Sequence, residues 1–433
     1  MDKKIYDQMN DILKAEIKPA FGCTGPIGIA YATAEARDAV GGTPVRIKIT
    51  ADKDMCAKNG DVGIPGTTYK GIEIAACLGA FAGDASKKLE VLKGITPEDE
   101  KRAYAFARAG DIQVIPDWET EKIGVFIEAE VETENGIGKA IVAKTHSNLV
   151  YKAANDTVLV DEHFERIGNL DETKDPITEF GIADFYEYAT TIPIEELYWL
   201  REALQMNRAL SEKALSGSTG IGLAAQLMEN AGGDIIRRAK AWAAAGSEAR
   251  MGGLNMSTMA CATSGNVGIT GSMPLMSLAE DLGKSEENLL RALAFSYYVT
   301  CLGKNRIGRH SAMCACVVAA SCGVAAGTSL LLGGDLQTAM GAINNTVCNV
   351  FGVVCDGARY ACALKLSSAV GIAIEGAMLA KKGVILPANE GVTGQDGQAT
   401  IEFLGQFAKK GMIYTDKFLC QELYKKLPSI REV

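Results

Sequence analysis

Apolar side chains at Ile5, Met9, Ile12 and Leu13 recur at helical spacing, predicting an opening helix over residues 3–18 that Pro19 ends. A second helical run extends from Pro26 to about Val40 and stops at Gly41-Gly42. Proline suits a first helical position, where its missing N–H has no partner to lose. After Gly42 the period switches to two. Residues 44–50 (PVRIKIT) alternate apolar and polar, the pattern of a half-buried strand. Residues 69–83 are again helical in pattern, and Thr96-Pro97-Glu98-Asp99 predicts a helix start with a cap, a proline and acids in the first turn. A short strand is expected at 112–115. The clearest strand signal follows: Ile123, Val125, Ile127, Ala129 and Val131 face one way while Glu128, Glu130 and Glu132 face the other. Asn135-Gly136 then predicts a tight hairpin turn into residues 137–145. From Pro193 the pattern is helical almost to the end, with runs such as IEELYWLREALQM and EENLLRALAFSYYVTCL, the latter capped by Ser285. The fold class expected is α+β, with an α/β domain of residues 43–189 inserted between the helical segments 1–42 and 190–433.

Composition narrows the partners. The chain has 433 residues, enough for two cores; it is 48% hydrophobic and 22% charged, which fits a compact enzyme better than a disordered or coiled-coil chain. A net charge of −9 without a basic face makes nucleic acid an unexpected partner. The N-terminus is amphipathic and charged, unlike a secretory signal, and 12 cysteines without such a signal imply a reducing, cytoplasmic setting in which thiols stay free or hold metal. Residues 311–334 carry no charge and resemble a membrane span in hydropathy. Their Ala, Gly, Ser and Cys content and the polar GDLQTAMGAINNT that follows predict a buried helix pair instead.

Half of the cysteines fall in one stretch: Cys314, Cys316, Cys322, Cys348, Cys355 and Cys362. A free thiol packed among Ala and Val is usually an inert small hydrophobe. That reading is strained at residues 355–362 (CDGARYAC), where two thiols flank a polar break containing a glycine. Such a break lets backbone bend so that thiolates converge on a soft metal and N–H groups donate to sulfur. Other candidates are less decided. Cys23 precedes a helix start, where the dipole favours a thiolate, yet it is equally readable as a small loop cysteine. His146 and Asn148 end a strand, as structural residues or substrate contacts. Residues 58–67 (KNGDVGIPGT) and 262–271 (ATSGNVGITG) are loops by composition. The second carries no GK[ST] and follows no predicted strand, so it is neither a Walker A motif nor a dinucleotide fingerprint.

Taken together, CDGARYACALK, GRHSAMC (308–314) and GCTGP (22–26) resemble the motifs of the L-cysteine desulfidases, relatives of the iron–sulfur L-serine dehydratase alpha chain. The resemblance runs thinly over nearly the whole chain, and it implies that residues 1–42 dock with 190–433 as one mainly helical catalytic domain, into which the α/β domain of residues 43–189 is inserted. It implies a [4Fe–4S] cluster held by Cys314, Cys355 and Cys362, with Cys23 removing the substrate's α-proton. It also implies that His146, Asn148, Ser264, Gly265 and Asn266 contact substrate. Spacing alone does not choose Cys314 over Cys316; the GRxSAxC match does. The activity implied is β-elimination from L-cysteine to pyruvate, ammonia and hydrogen sulfide. The alternatives are an L-serine dehydratase-like deaminase and a non-catalytic iron–sulfur or zinc ligand-binding protein. No lysine motif for pyridoxal phosphate stands out. One departure is Gly25, where the family's common GCTEP has glutamate. Expected partners are a small amino-acid substrate and a second copy of the chain, with neither nucleic acid nor membrane.

Overall fold

The computed structural model describes residues 2–22, 24–64, 67–118, 125–162, 175–308 and 310–427. The chain opens with α1 (Lys3–Glu16), β1 (Ile17–Phe21), α2 (Thr24–Val40), β2 (Pro44–Asp52), α3 (Lys53–Lys58), α4 (Ile72–Ala82) and α5 (Pro97–Ala109). The strands β3 (Ile112–Asp117), β4 (Phe126–Thr133), β5 (Gly136–Ala143), β6 (Leu149–Ala154) and β7 (Thr157–Asp161) follow. Then come α6 (Ile182–Thr191), α7 (Leu200–Leu215), α8 (Leu223–Glu229), α9 (Ile235–Met251), β8 (Ser257–Cys261) and α10 (Gly265–Asp281). The rest is helical: α11 (Glu286–Ile307), α12 (Ala315–Leu331), α13 (Leu336–Val350), α14 (Ala361–Lys381), α15 (Gly397–Gln406) and α16 (Ile413–Tyr424). The class is α+β and mainly helical.

Two cores are distinct. One is a six-stranded sheet ordered β3-β2-β4-β5-β6-β7, parallel only between β2 and β3. The alternation read from β4 is realised: Ile127, Ala129 and Val131 are fully buried, and Asn135-Gly136 joins β4 to β5. Residues 123 and 124 of the expected strand lie outside the described residues. The other core is helical, with α12 buried among α10, α11, α13 and α14. One described helix, α14, is long and apolar enough to cross a membrane, but 61% of its apolar window is buried, against α9, α12 and α13.

The expected boundaries need correcting at two points. Helix α2 was assigned to the helical domain, yet Ile27, Ile29 and Tyr31 belong to the sheet's core, where α2 packs on α4, β4 and β5. Conversely Ile182, Phe185 and Tyr188, assigned to the insert, pack in the helical core. The opening helix packs in the helical core through Met9, Ile12 and Leu13, and the Tyr298 hydroxyl donates to the Met9 carbonyl at 2.7 Å. Its last residues differ: Ile17–Phe21 form β1, paired antiparallel with β8.

Candidate active site

The two stretches that carry the thiols are bound to each other by backbone. The Cys314 N–H donates to the Val353 carbonyl at 2.9 Å, and the Cys355 N–H to the Ala312 carbonyl at 2.8 Å. This short antiparallel bridge at Met313 and Val354 brings Cys314 and Cys355 side by side onto one cavity. Cys314 also caps the start of α12, while Cys362 lies in the first turn of α14. Between Cys355 and Cys362 the chain turns at Gly357, whose φ of 100° is open to glycine but costly for other residues. A Cβ there would sit 2.2 Å from the Lys58 carbonyl.

Cys314, Cys355 and Cys362 all line one cavity of about 140 Å³, and Cys316 joins them, its sulfur 3.3 Å from that of Cys314. Contact with Cys316 holds the Cys314 thiol well above its ordinary pKa; contact with Cys355 opposes this and burial adds to it. Cys355 is raised first by Cys314 and then by burial, against the pull of the Lys58 ammonium. Burial pushes Cys362 up to about 12. Thiols crowded and buried in this way are poor thiolates by themselves, and a bound cation is what lets such a set ionise. The donor set fits an iron–sulfur group: three soft sulfurs, the Arg359 N–H 3.5 Å from the Cys362 sulfur, and a buried cation beside Cys355.

The opposite wall is polar. It includes Thr24, Gly25, Asp54, Lys58, His146, Arg250, Ser264, Asn266, Lys304 and His310. The N-terminal ends of α2, α10, α12 and α14 all open on the cavity, and free N–H groups with their dipoles favour negative charge there. Ser264 and Asn266 belong to the first turn of α10, which the sequence presented as a plain loop. The turn before it forces Ala262 (φ 47°) and Thr263 (φ 65°) into left-handed conformations, of the kind that accumulate at functional sites. Gly265 is not among the lining residues; the Arg250 guanidinium packs against it, leaving no room for a side chain. Arg250 donates to the Asn266 side-chain oxygen at 2.5 Å and to the Gly22 carbonyl at 2.6 Å, and Lys304 to the Ala262 carbonyl at 2.7 Å.

His146 lines the cavity, but Asn148 is not among the lining residues; its amide donates to the Ala143 carbonyl at 3.2 Å and shapes the turn that presents His146. Behind His146 stands His310, with Nε2 to Nε2 at 3.2 Å, and His310 Nδ1 lies 3.1 Å from Asp52 Oδ1. Burial disfavours the His310 imidazolium most, but Asp52 and Asp54 together outweigh it and hold the pKa above the usual histidine range. Cys23 lies outside the described residues. Its neighbours Thr24 and Gly25 reach the cavity, and the Asn59 side chain fills the place a side chain at Gly25 would take, 2.5 Å from a Cβ there.

The sequence reading did not single out Asp52, Arg250, Lys304 or His310 for a role. Arg250 and Lys304 lie in helices that carry several other charged residues, so nothing local in the sequence sets them apart. Asp54, Asp416 and Cys420 also lie close enough to hold a small metal ion. Both carboxylates are already matched there by the ammonium groups of Lys53 and Lys58, which would repel a second cation.

Soft sulfur donors on one side of the cavity thus face Arg250, Lys304 and helix N-termini on the other. The model of the serine dehydratase alpha chain matches residues 86–421, and the chain belongs to that family. It is 33% identical over 418 residues to a UPF0597 protein of Caldanaerobacter subterraneus subsp. tengcongensis, covering 96% of this chain and 98% of the relative. UPF0597 proteins of Clostridium tetani (32% over 411 residues; 95% and 96%) and Phocaeicola vulgatus (35% over 421 residues; 95% and 96%) are similar over the same extent.

Proposed function

We propose that the chain is an iron–sulfur lyase that removes the β-substituent of a small α-amino acid, with L-cysteine as substrate. Water enters overall, and pyruvate, ammonia and hydrogen sulfide leave. The observation that carries this reading is the opening of Cys314, Cys355 and Cys362 on the same cavity as the Asp52–His310–His146 chain. Those three cysteines would hold a [4Fe–4S] cluster, which when bound supplies an iron with a free position as Lewis acid for the leaving group. Arg250 and the α10 N-terminus supply positive potential for the substrate carboxylate. With Nδ1–H held by Asp52, His310 passes protons at Nε2 to and from His146, which faces the substrate. The resemblance of GCTGP assigns α-proton removal to Cys23. Electrons of the Cα–H bond then form the Cα=Cβ double bond as the Cβ–S bond breaks, and the aminoacrylate tautomerises and hydrolyses.

Family membership favours a second substrate, L-serine, from which hydroxide leaves as water and no sulfide appears. Anaerobic reconstitution followed by parallel pyruvate and sulfide assays separates the readings. Equal pyruvate and sulfide from cysteine, exceeding pyruvate from serine, is the expected result. Pyruvate from serine alone makes the chain a serine deaminase, and no product from either ends the lyase reading.

A further inference from the structure

One lysine ties both thiol-bearing loops to the C-terminal helix. Lys58 ends α3, on the sheet side of the cavity. Its Nζ donates to the Ser311 carbonyl at 2.9 Å, three residues before Cys314, and its own carbonyl accepts from the Ala358 N–H at 3.1 Å, between Cys355 and Cys362. Gly357 lies flat on that carbonyl. The same Nζ is 2.5 Å from Asp54 Oδ1 and 2.6 Å from Asp416 Oδ1, and Asp416 comes from α16, more than 350 residues away in sequence (|i−j| = 358). Lys53 completes the group by pairing with Asp54 at 2.6 Å and with the other oxygen of Asp416. All four side chains are buried: Lys53, Asp54 and Lys58 are 5% exposed and Asp416 6%. Buried ions persist only when matched, so Asp416 is part of what fixes Lys58 as a cation in that position.

We infer that Lys58 and Asp416 are positioning residues of the thiol site, so that docking of α16 and occupation of the site by its iron–sulfur group stabilise each other. This rests on the reading of Cys314, Cys355 and Cys362 as ligands. Coupling between two sites is reciprocal: if seated α16 steadies the ligand loops, loading those loops steadies α16. Neither residue touches substrate in this scheme. They act through the backbone at Ser311 and Ala358 and through the charge beside Cys355.

Hydrogen exchange of the full chain, before and after anaerobic reconstitution with ferrous iron and sulfide, tests the coupling without any substitution. Peptides covering α16 should exchange more slowly once the visible cluster absorption is present, while the remote helix α5 should be unchanged. A full cluster spectrum with α16 exchange unaltered overturns the inference and leaves the ligand reading intact. Cys355→Ser provides the separate control: if it assembles the cluster as the wild type does, the ligand reading itself fails and the inference with it. Asp416→Asn, near-isosteric, should release iron to a chelator about 10- to 100-fold faster, the range typical of lost supporting contacts. Asp416→Glu should restore part of the retention. Lys58→Gln should shift the cluster's reduction potential to more negative values, because a cation beside Cys355 favours the reduced state. Wild-type retention in Asp416→Asn and an unshifted potential in Lys58→Gln would also overturn it.

Discussion

Asp52 shows how a single side chain can serve the fold and the site together. One carboxylate oxygen caps α3 by accepting from the Met55 N–H at 2.8 Å and also faces His310, while the other accepts from the Phe126 N–H at 3.2 Å. Burial, the largest single effect, and the Lys58 ammonium work against a protonated His310; the carboxylates of Asp52, foremost, and Asp54 together outweigh them. A histidine that binds its proton more tightly when folded stabilises the fold fully below the unfolded pKa of about 6.5. That contribution fades as pH rises through the raised folded value. Asp52→Asn keeps a capping oxygen but removes the charge. Its deficit in denaturant midpoint should therefore be largest on the acid side of about pH 6 and shrink toward alkaline pH. A deficit independent of pH would show that Asp52 does not hold the His310 proton. At this scale the thiol motifs were legible, because CDGARYACALK and GRHSAMC name residues that line one cavity. Arg250 and Lys304 were not, since their value lies in which helix N-termini they meet across the fold.

Loops that look featureless in sequence become helix starts and bridges in space. The stretch 262–271 is a strained turn followed by the first turns of α10, and Met313 to Val354 is a bridge between segments about 40 residues apart. Gly357 is the hinge of that arrangement. Gly357→Ala must adopt φ near 100° and press on the Lys58 carbonyl, so it should cost about 1–3 kcal/mol or more of stability. Chemical denaturation measures this directly; a variant as stable as wild type would mean that the 355–362 loop can rearrange freely. Other elements were hidden for plain reasons. Strand β1 is five residues long and contains Pro19, which reads as a helix stop, and its only described strand partner, β8, is far along the chain. Helix α3 has six residues, too few to show a period.

Across the whole molecule, the site lies where the two cores meet: Thr24, Asp54, Lys58, Asn59 and His146 come from the sheet side, and the thiols from the helical side. The sheet-and-helix organisation was readable from the change of period near residue 43. The placement of α2 was not. It is apolar nearly all round because α4 covers one side and the sheet the other, and such a helix carries no stripe that names its partner. The central claim is that Cys314, Cys355 and Cys362 together hold the group on which turnover depends. The most direct measurement is iron and acid-labile sulfide bound after anaerobic reconstitution, compared between Cys→Ser variants at these three positions and at the buried bystanders Cys56, Cys77 and Cys322. The account predicts that each of the first three loses the bound iron and sulfide while each of the others keeps wild-type content. Full content in any of the three, or its loss in the bystanders alone, would contradict it.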